Sequence, residues 1–452
     1  MKPDESRSHP TRRPLPEERC FTSPAIADAI HRVSASMRDK EMAWLFENCL
    51  PNTLDTTVTV GEDKSGRPDT FVITGDIDAM WLRDSTNQIW PYLPFIKQDP
   101  TLDRLVQGLI HRQAACVKLD PYANAFYREP VLGEWRKDQT TMKPGVHERK
   151  YELDSLCAVL RLSCGYFAAG GNAACFDDDW ADAVRLVLHT IRVEQAGSFE
   201  EPGSPYSFRR VSNRPTETLA LDGRGQPARR CGLSKSPFRP SDDAAMLPFL
   251  IPANALAVVT LRRLSAMLRE IGVHQSLADP AEKLANEIDA GIRSHAIVKH
   301  PEKGQIFAYE VDGFGAHYFM DDANIPSLLS LPYLGYCDRS DPIYQNTRSL
   351  ILSDANPYFS SGSAGAGVGG PHVGPGWIWP MSIVMQALTS DSDEEITDCL
   401  RTLKASHSGT GFMHESFWKD DAARFTRHWF AWANTLFGEL ILTLDQERPE
   451  LL

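Results

Sequence analysis

Apolar residues recur three and four positions apart through most of this chain, the period of helices with one buried face. Ser23-Pro24 reads as N-cap and first helical residue, ahead of Ile26, Ile30 and Val33 on one side. Asp99-Pro100 repeats the device before Leu102, Leu105, Leu109 and Val117. Leu153, Leu156, Leu160, Cys164 and Phe167 form a stripe that Gly170-Gly171 stops. Trp180, Val184, Val187 and Ile191 form the next, and Leu256 to Ile271 forms a long helix ended by Gly272. Asp279-Pro280 opens another, with Leu284, Ile288 and Ile292 aligned. Ser392 to Glu395 is a capping-box pattern before Ile396, Leu400 and Leu403, and Trp429, Ala433, Leu436 and Leu440 close the series. Strand signals are few, the best being "TFVIT" (70–74) and "GQIFAYEV" (304–311).

The pattern predicts an all-α chain of about a dozen helices joined by long loops. Helix pairs do not repeat as sequence, which argues against a solenoid. Hairpins closing into one ring, an α/α toroid, would use this number of helices and leave the loops at one end free for chemistry. The first 20 residues are polar and Pro-rich and read as a disordered tail. Residues 21–452 then read as a single domain, with no linker to split them.

Composition narrows the function. Across 452 residues the net charge is -13, with no basic face to suit a nucleic-acid partner. No run of 18 apolar residues suggests a membrane span, and the N-terminus lacks the apolar core of a secretory signal. Nine scattered cysteines, none in a Cys-x-x-Cys pair, read as reduced thiols, and with the missing signal they place the chain in the cytoplasm. Oligomeric state is left open.

Several loops are denser in polar and aromatic residues than a connection requires. "VITGDIDAMWLRDSTNQIWPYLPF" (72–95) holds Asp76, Asp78, Trp81, Arg83 and Asp84 within nine residues. Such a set serves either as an ion-pair network pinning a loop or as a grip on a polyhydroxylated ligand, with bidentate partners for hydroxyls and a ring for the C–H face. "DPYANAFYREP" (120–130) and "HERKYELDS" (147–155) offer Tyr122, Asn124 and Glu148. "FRPSDDAAMLPF" (238–249) sets Asp242 beside Asp243 ahead of an apolar stretch. "HYFMDDANIPSLLSLPYLGY" (317–336) holds a second pair, Asp321 and Asp322, which reads as the acidic start of a helix. "GTGFMHESFWKDD" (409–421) places Glu415 among Phe412, His414, Phe417 and Trp418. "GAGVGG" (365–370) fits a dinucleotide-binding pattern, but no strand precedes it and Pro371 stands where the helix would begin. No His-x-x-x-His metal spacing occurs.

Taken together and in order, "GDIDAMWLRDSTNQ", "DPYANAF", "ERKYELDSLC", "FRPSDDA", "FMDDANIPSLLSLPYLGY", "GTGFMHESF" and "WFAWANTLF" resemble glycoside hydrolase family 125, the exo-acting α-1,6-mannosidases, from about Ala43 to Leu440. The resemblance implies an (α/α)6 barrel and a metal-independent, cofactor-free, inverting hydrolysis of non-reducing-end α-1,6-linked mannose from a mannoside or glycan. It also implies Asp242 as general acid and Glu415 as general base. Arg83, Asp84, Glu148 and Asp322 fall in motifs lining the family's sugar pocket; Asp76, Trp81, Tyr122, Asn124, Asp243 and His414 join them as candidate sugar ligands. Three places depart from the family's habit: Ser234-Lys235-Ser236-Pro237 replaces a Trp-Ser-Gly, Asp78 a Pro, and His428 an Asp. Two rival readings keep the toroid: a glycosidase of another α-linked sugar, such as a glucosidase or trehalase-like enzyme, and a non-catalytic sugar-binding protein.

The chemistry sets one constraint. An inverting glycosidase needs a neutral acid and a charged base separated by about 6.5–9.5 Å, with room for a water. Adjacent side chains cannot face each other across a sugar, so Asp242 and Asp243 are not the pair. The expected role of Asp243 is to support Asp242, its charge raising the Asp242 pKa.

Overall fold

The computed structural model describes residues 9–452. It is a ring of helical hairpins in two layers, an (α/α)6 barrel. The inner layer runs Leu82–Ile89, Leu153–Ala168, Ile251–Ile271, Leu331–Leu334, Pro380–Leu388 and Ala431–Glu447. The first four pack in succession, Leu82–Ile89 on Leu153–Ala168, that helix on Ile251–Ile271 and Ile251–Ile271 on Leu331–Leu334; Pro380–Leu388 packs on Ala431–Glu447, and Ala431–Glu447 closes the circle against Leu82–Ile89. Outer helices alternate with them along the chain: Lys40–Cys49, Pro100–Leu119, Asp178–Val193, Ala278–His295, Pro342–Ile351 and Asp393–Ser406.

Local chemistry explains the element ends. Ser23 Oγ accepts from the Ile26 amide, Asp99 caps the Thr101 and Leu102 amides, and Ser392 caps Glu395, satisfying N–H groups that have no partner within a helix. Gly272 ends Ile251–Ile271 in the left-handed conformation, with φ +76°. That helix is apolar and long enough to cross a membrane by length and composition, and most of it is buried inside the ring. The apolar stripes of both layers merge into one continuous core.

Three local expectations are corrected. "GQIFAYEV" is two short strands, Gly304–Phe307 and Glu310–Val311, in different small sheets. Asp321 and Asp322 do not start a helix. They lie in a buried loop, where Asp321 accepts from the Leu328 and Leu329 amides and burial pushes its carboxyl up to about 8. The tail expected over residues 1–20 lies outside the described residues for its first eight positions. From there to Cys20 the chain lies against the barrel. The Trp44 indole donates to the Pro10 carbonyl (2.8 Å), the Arg12 amide to Asn48 Oδ1 (3.0 Å) and Arg13 Nε to Asp55 Oδ2 (2.7 Å). All nine cysteines are free thiols.

The winding has one result that matters for chemistry: every inner helix begins at the same end of the ring. The small sheets and long loops gather there, directly before the inner helices.

Candidate active site

A cavity of about 330 Å3 opens at that end. Most of its walls come from residues just before, or in the first turn of, an inner helix. Arg83 and Asp84 sit in the first turn of Leu82–Ile89, and Asp242 in the loop ahead of Ile251–Ile271. His372 precedes Pro380–Leu388, and Glu415 and Arg427 precede Ala431–Glu447. Trp81, Trp379 and Trp432 supply ring faces. A larger hollow of about 1100 Å3 opens at the opposite end, around Trp90, Phe167 and Met267. Its lining is mostly apolar, with Arg263, Glu270 and Glu439, and includes none of the candidate site residues.

The Asp242 loop is held tightly. Its ends pair where Phe238 bridges Ala244, the Arg239 amide donates to the Asp243 carbonyl (2.8 Å), and the Asp242 amide donates to the Arg239 carbonyl (2.9 Å). Beneath it, Arg239 Nε meets Glu310 Oε1 at 2.6 Å, while Glu310 Oε2 accepts from the Met246 and Leu247 amides. Asp242 itself has φ +64°, a left-handed conformation that Asp tolerates better than most residues. Strain of that kind persists where the surroundings over-determine it. The effect is to present the Asp242 carboxyl to the cavity with 24% of the side chain exposed.

Glu415 enters from another loop. Its Oε2 accepts from Thr426 Oγ1 (2.8 Å) and its Oε1 lies 3.4 Å from Arg427 Nε, partners that suit an anion. Arg427 also pairs with the exposed Asp76 (3.4 Å). His414 does not reach the cavity. Its Nδ1 donates to the carbonyls of Arg427 and His428, and its ring stacks on Phe425 at 3.9 Å, which fixes the Glu415 loop.

The other candidates divide. Arg83, Asp84, Trp81 and Glu148 line the cavity. Burial pushes Asp84 up to about 6 against the pull of Arg83. Glu148 accepts from Asn124 (3.0 Å) and pairs with Arg210 (2.8 Å) and Lys150 (3.3 Å). Asn124 is buried behind the wall and donates to Asp242 Oδ1 (3.2 Å). Tyr122 lies away from the cavity, bonded to Glu194 (3.0 Å) and stacked on Tyr206. Asp322 is buried behind the lining, holding the Asn324 amide and side chain.

Asp243 requires a correction. It pairs with His372 (3.6 Å) rather than acting on Asp242. Burial lowers the His372 pKa, but the Asp243 hydrogen bond and the charges of Asp243, Glu415 and Asp242 outweigh it and raise the group to about 9. Asp242 is not raised. Burial acts upward, but the Arg83 guanidinium, a hydrogen bond with Glu152 and the charges of Lys150 and His372 hold it below the usual carboxylate range.

Sequence reasoning missed Glu152, Asp154, Lys150, Arg210, His372 and Arg427. The signal for His372 was present in "GAGVGGPH". Those glycines let backbones meet: a Cβ at Gly369 would lie 2.2 Å from the Trp377 carbonyl oxygen, and one at Gly370 3.0 Å from Asp322 Oδ2. The close approach carries His372 to Asp243. The unusual Ser234-Lys235-Ser236 segment is buried behind the wall: Ser236 Oγ accepts from the Leu153 amide and Ser234 N donates to Asn254.

Comparison with known proteins gives three findings. The family model for metal-independent alpha-mannosidases (GH125) matches residues 39–442. The Meiotically up-regulated gene 157 protein of Schizosaccharomyces pombe is 46% identical over 458 residues, covering 98% of this chain and 90% of that protein. A solved structure of a metal-independent α-mannosidase from Streptococcus pneumoniae, in a non-productive complex with α-1,6-mannobiose, is 40% identical. It superposes with a TM-score of 0.90 over 95% of this chain and 100% of that one. A bacterial glucoamylase complexed with acarbose shares the fold at 12% identity and a TM-score of 0.56, over 90% of this chain and 55% of that one.

Proposed function

The chain belongs to the GH125 family of metal-independent α-mannosidases and is a glycoside hydrolase, and from that premise we propose that it removes terminal α-1,6-linked mannose with inversion, Asp242 acting as acid and Glu415 as base. One observation carries the reading: two carboxyl groups, 173 residues apart in sequence, enter one cavity from separate loops. The substrate preference is supported by the α-1,6-mannobiose bound to the pneumococcal relative.

The reaction follows from what the groups can do. The terminal mannose enters the cavity, its C–H face against tryptophan and its hydroxyls toward Arg83, Asp84 and Glu148. Asp242 protonates the glycosidic oxygen, which leaves with the electrons of the C1–O bond as a neutral alcohol. Glu415 removes a proton from a water on the opposite face of the ring, and that water's oxygen bonds to C1 as the leaving group departs. The carboxylates around the ring stabilise positive charge as it develops on the sugar.

Proton NMR of freshly released sugar tests the proposal, since it reports substrate, linkage and anomer at once. β-Mannose from α-1,6-mannobiose is expected. α-Mannose as the first product overturns the pairing of roles, and release of another sugar overturns the specificity.

A further inference from the structure

Beside the proposed acid lies a carboxyl group that the reaction as written leaves unused. Glu152 immediately precedes the inner helix Leu153–Ala168, and its side chain is wholly buried. Its Oε2 accepts from Arg83 Nη1 (2.6 Å) and Ser155 Oγ (2.8 Å), and the Asn124 amide nitrogen draws its Oε1 (3.1 Å) and Asp242 Oδ1 (3.2 Å) to one donor. Two carboxyl groups can hydrogen-bond each other only through a proton held by one of them.

Two counts on the same cluster support a shared proton. The first is of charge. Lys150 is paired with Glu148, His372 with Asp243, and Arg427 with Glu415 and Asp76. That leaves the Arg83 guanidinium facing Asp84 (3.2 Å), Glu152 (2.6 Å), Asp154 (3.4 Å) and Asp242 (3.4 Å). Four carboxylates around one buried cation cannot all be ionised. The second count is of hydrogens. Asn124 Oδ1 accepts from the Lys150 amide, which fixes the flip of the side chain. Asn124 Nδ2 then faces three carboxyl oxygens: Glu148 Oε2 (3.0 Å), Glu152 Oε1 (3.1 Å) and Asp242 Oδ1 (3.2 Å). An amide has two hydrogens for those three acceptors. A proton between Glu152 and Asp242 removes the shortage.

We infer that Glu152 stores the proton that Asp242 delivers, the two forming a carboxyl pair in which Glu152 is the reservoir and Asp242 the donor. The inference rests on Asp242 being the acid. In the step, Glu152 gives its proton to Asp242 and Asp242 gives that one proton to the glycosidic oxygen, so both groups end as carboxylates. Glu152 is left as a carboxylate, held by Arg83, Ser155 and Asn124. Solvent returns the proton once product leaves, and Glu415 releases to solvent the proton it took from water, so the sum is hydrolysis alone.

The charged and titratable groups facing Glu152 come from every wall. Arg83 and Asp84 belong to Leu82–Ile89, Asp154 to the helix Glu152 precedes, and Glu148 and Lys150 to the segment just before it. Tyr206 packs from behind, and His372 reaches Asp242 from the far side. Burial, with the charges of Asp242 and Asp154, pushes the Glu152 carboxyl well above its ordinary range against the pull of Arg83. Glu152 is a positioning residue: it acts on the substrate through Asp242.

The test is Glu152→Gln, compared with wild type on α-1,6-mannobiose and on α-mannosyl fluoride, whose leaving group needs no proton. The expected result is a fall of about 100-fold or more in kcat/KM on mannobiose. On the fluoride the rate stays within a few fold, and the alkaline limb of the mannobiose pH profile moves to lower pH. Equal losses on both substrates, or no loss on either, overturn the inference. Should the variant fail to fold, difference infrared spectroscopy of the wild-type protein decides. A protonated-carboxyl band at neutral pH that disappears when mannose binds supports the shared proton, and its absence overturns it. Asp242→Asn separates this inference from the proposal beneath it. Wild-type turnover of mannobiose by Asp242→Asn refutes the acid assignment itself. A dead Asp242→Asn beside a fully active Glu152→Gln refutes only the reservoir.

Discussion

Replacing Glu310 with Gln isolates the support beneath the acid loop. Glu310 is fully buried and touches no part of the cavity lining. It carries the only charge pairing Arg239, at 2.6 Å among the described residues, and Arg239 Nη2 already lacks a hydrogen-bond partner. The amide keeps the shape but removes the charge, and its NH2 must face either the guanidinium or the Met246 and Leu247 amides, all of which are donors. Breaking a buried pair on one side costs about 3–5 kcal/mol. At about 2.1 cal/mol/K of unfolding entropy per residue, a chain of 452 residues gains or loses roughly 1 °C of Tm per kcal/mol. Calorimetry of Glu310→Gln should therefore show a Tm lowered by about 3–5 °C. Turnover should fall as well, because the left-handed turn at Asp242 depends on that anchor. A Glu310→Gln protein with unchanged Tm and turnover refutes the claim that this pair holds the loop.

Asp242→Asn and Glu415→Gln should each lower kcat on α-1,6-mannobiose by about 10²–10⁴-fold with Tm nearly unchanged, since Asn also tolerates a positive φ; wild-type kcat in either refutes that role. Activity should survive EDTA; a loss reversed by calcium or zinc would require a metal-assisted route. His372, raised to about 9 in the fold, contributes stability that is fully present below its ordinary value near 6.5 and is lost as pH rises toward 9. Urea titrations of His372→Gln should show a flatter stability profile across that window, and an unchanged slope refutes the ion pair. Gly369→Ala should lower Tm, because its methyl meets the Trp377 carbonyl oxygen at 2.2 Å; an unaltered melt shows that the backbone yields there.

Lys40–Cys49, Leu82–Ile89, Leu331–Leu334, Pro342–Ile351 and Pro380–Leu388 passed unread, while the other seven barrel helices were legible from their apolar stripes. The strand pairs were not. Met80–Trp81 and Phe249–Leu250 are two residues long, too short for an alternating pattern, and they exist only because distant loops press together. The site divides in the same way. Asp242 and Glu415 stood out within motifs, and the family resemblance supplied their roles. Their controlling partners are non-local, Arg83 lying 159 residues from Asp242, and nothing at either position announces the other. The error over Asp243 has that cause. Sequence adjacency suggested a coupling to Asp242, but successive side chains diverge, and Asp243 turned to His372, 129 residues on.

The ring is closed by its latest helix. Ala431–Glu447 packs on Leu82–Ile89, and Trp432 lies 5.8 Å from the Arg83 guanidinium. A nascent chain emerging from the ribosome would therefore hold Asp242 and its neighbours in an open crescent, flooded by solvent, until that segment arrives. A polypeptide cut short between Glu415 and Ala431 would leave the ring open and is expected to be inert even though Asp242 and Glu415 are already made.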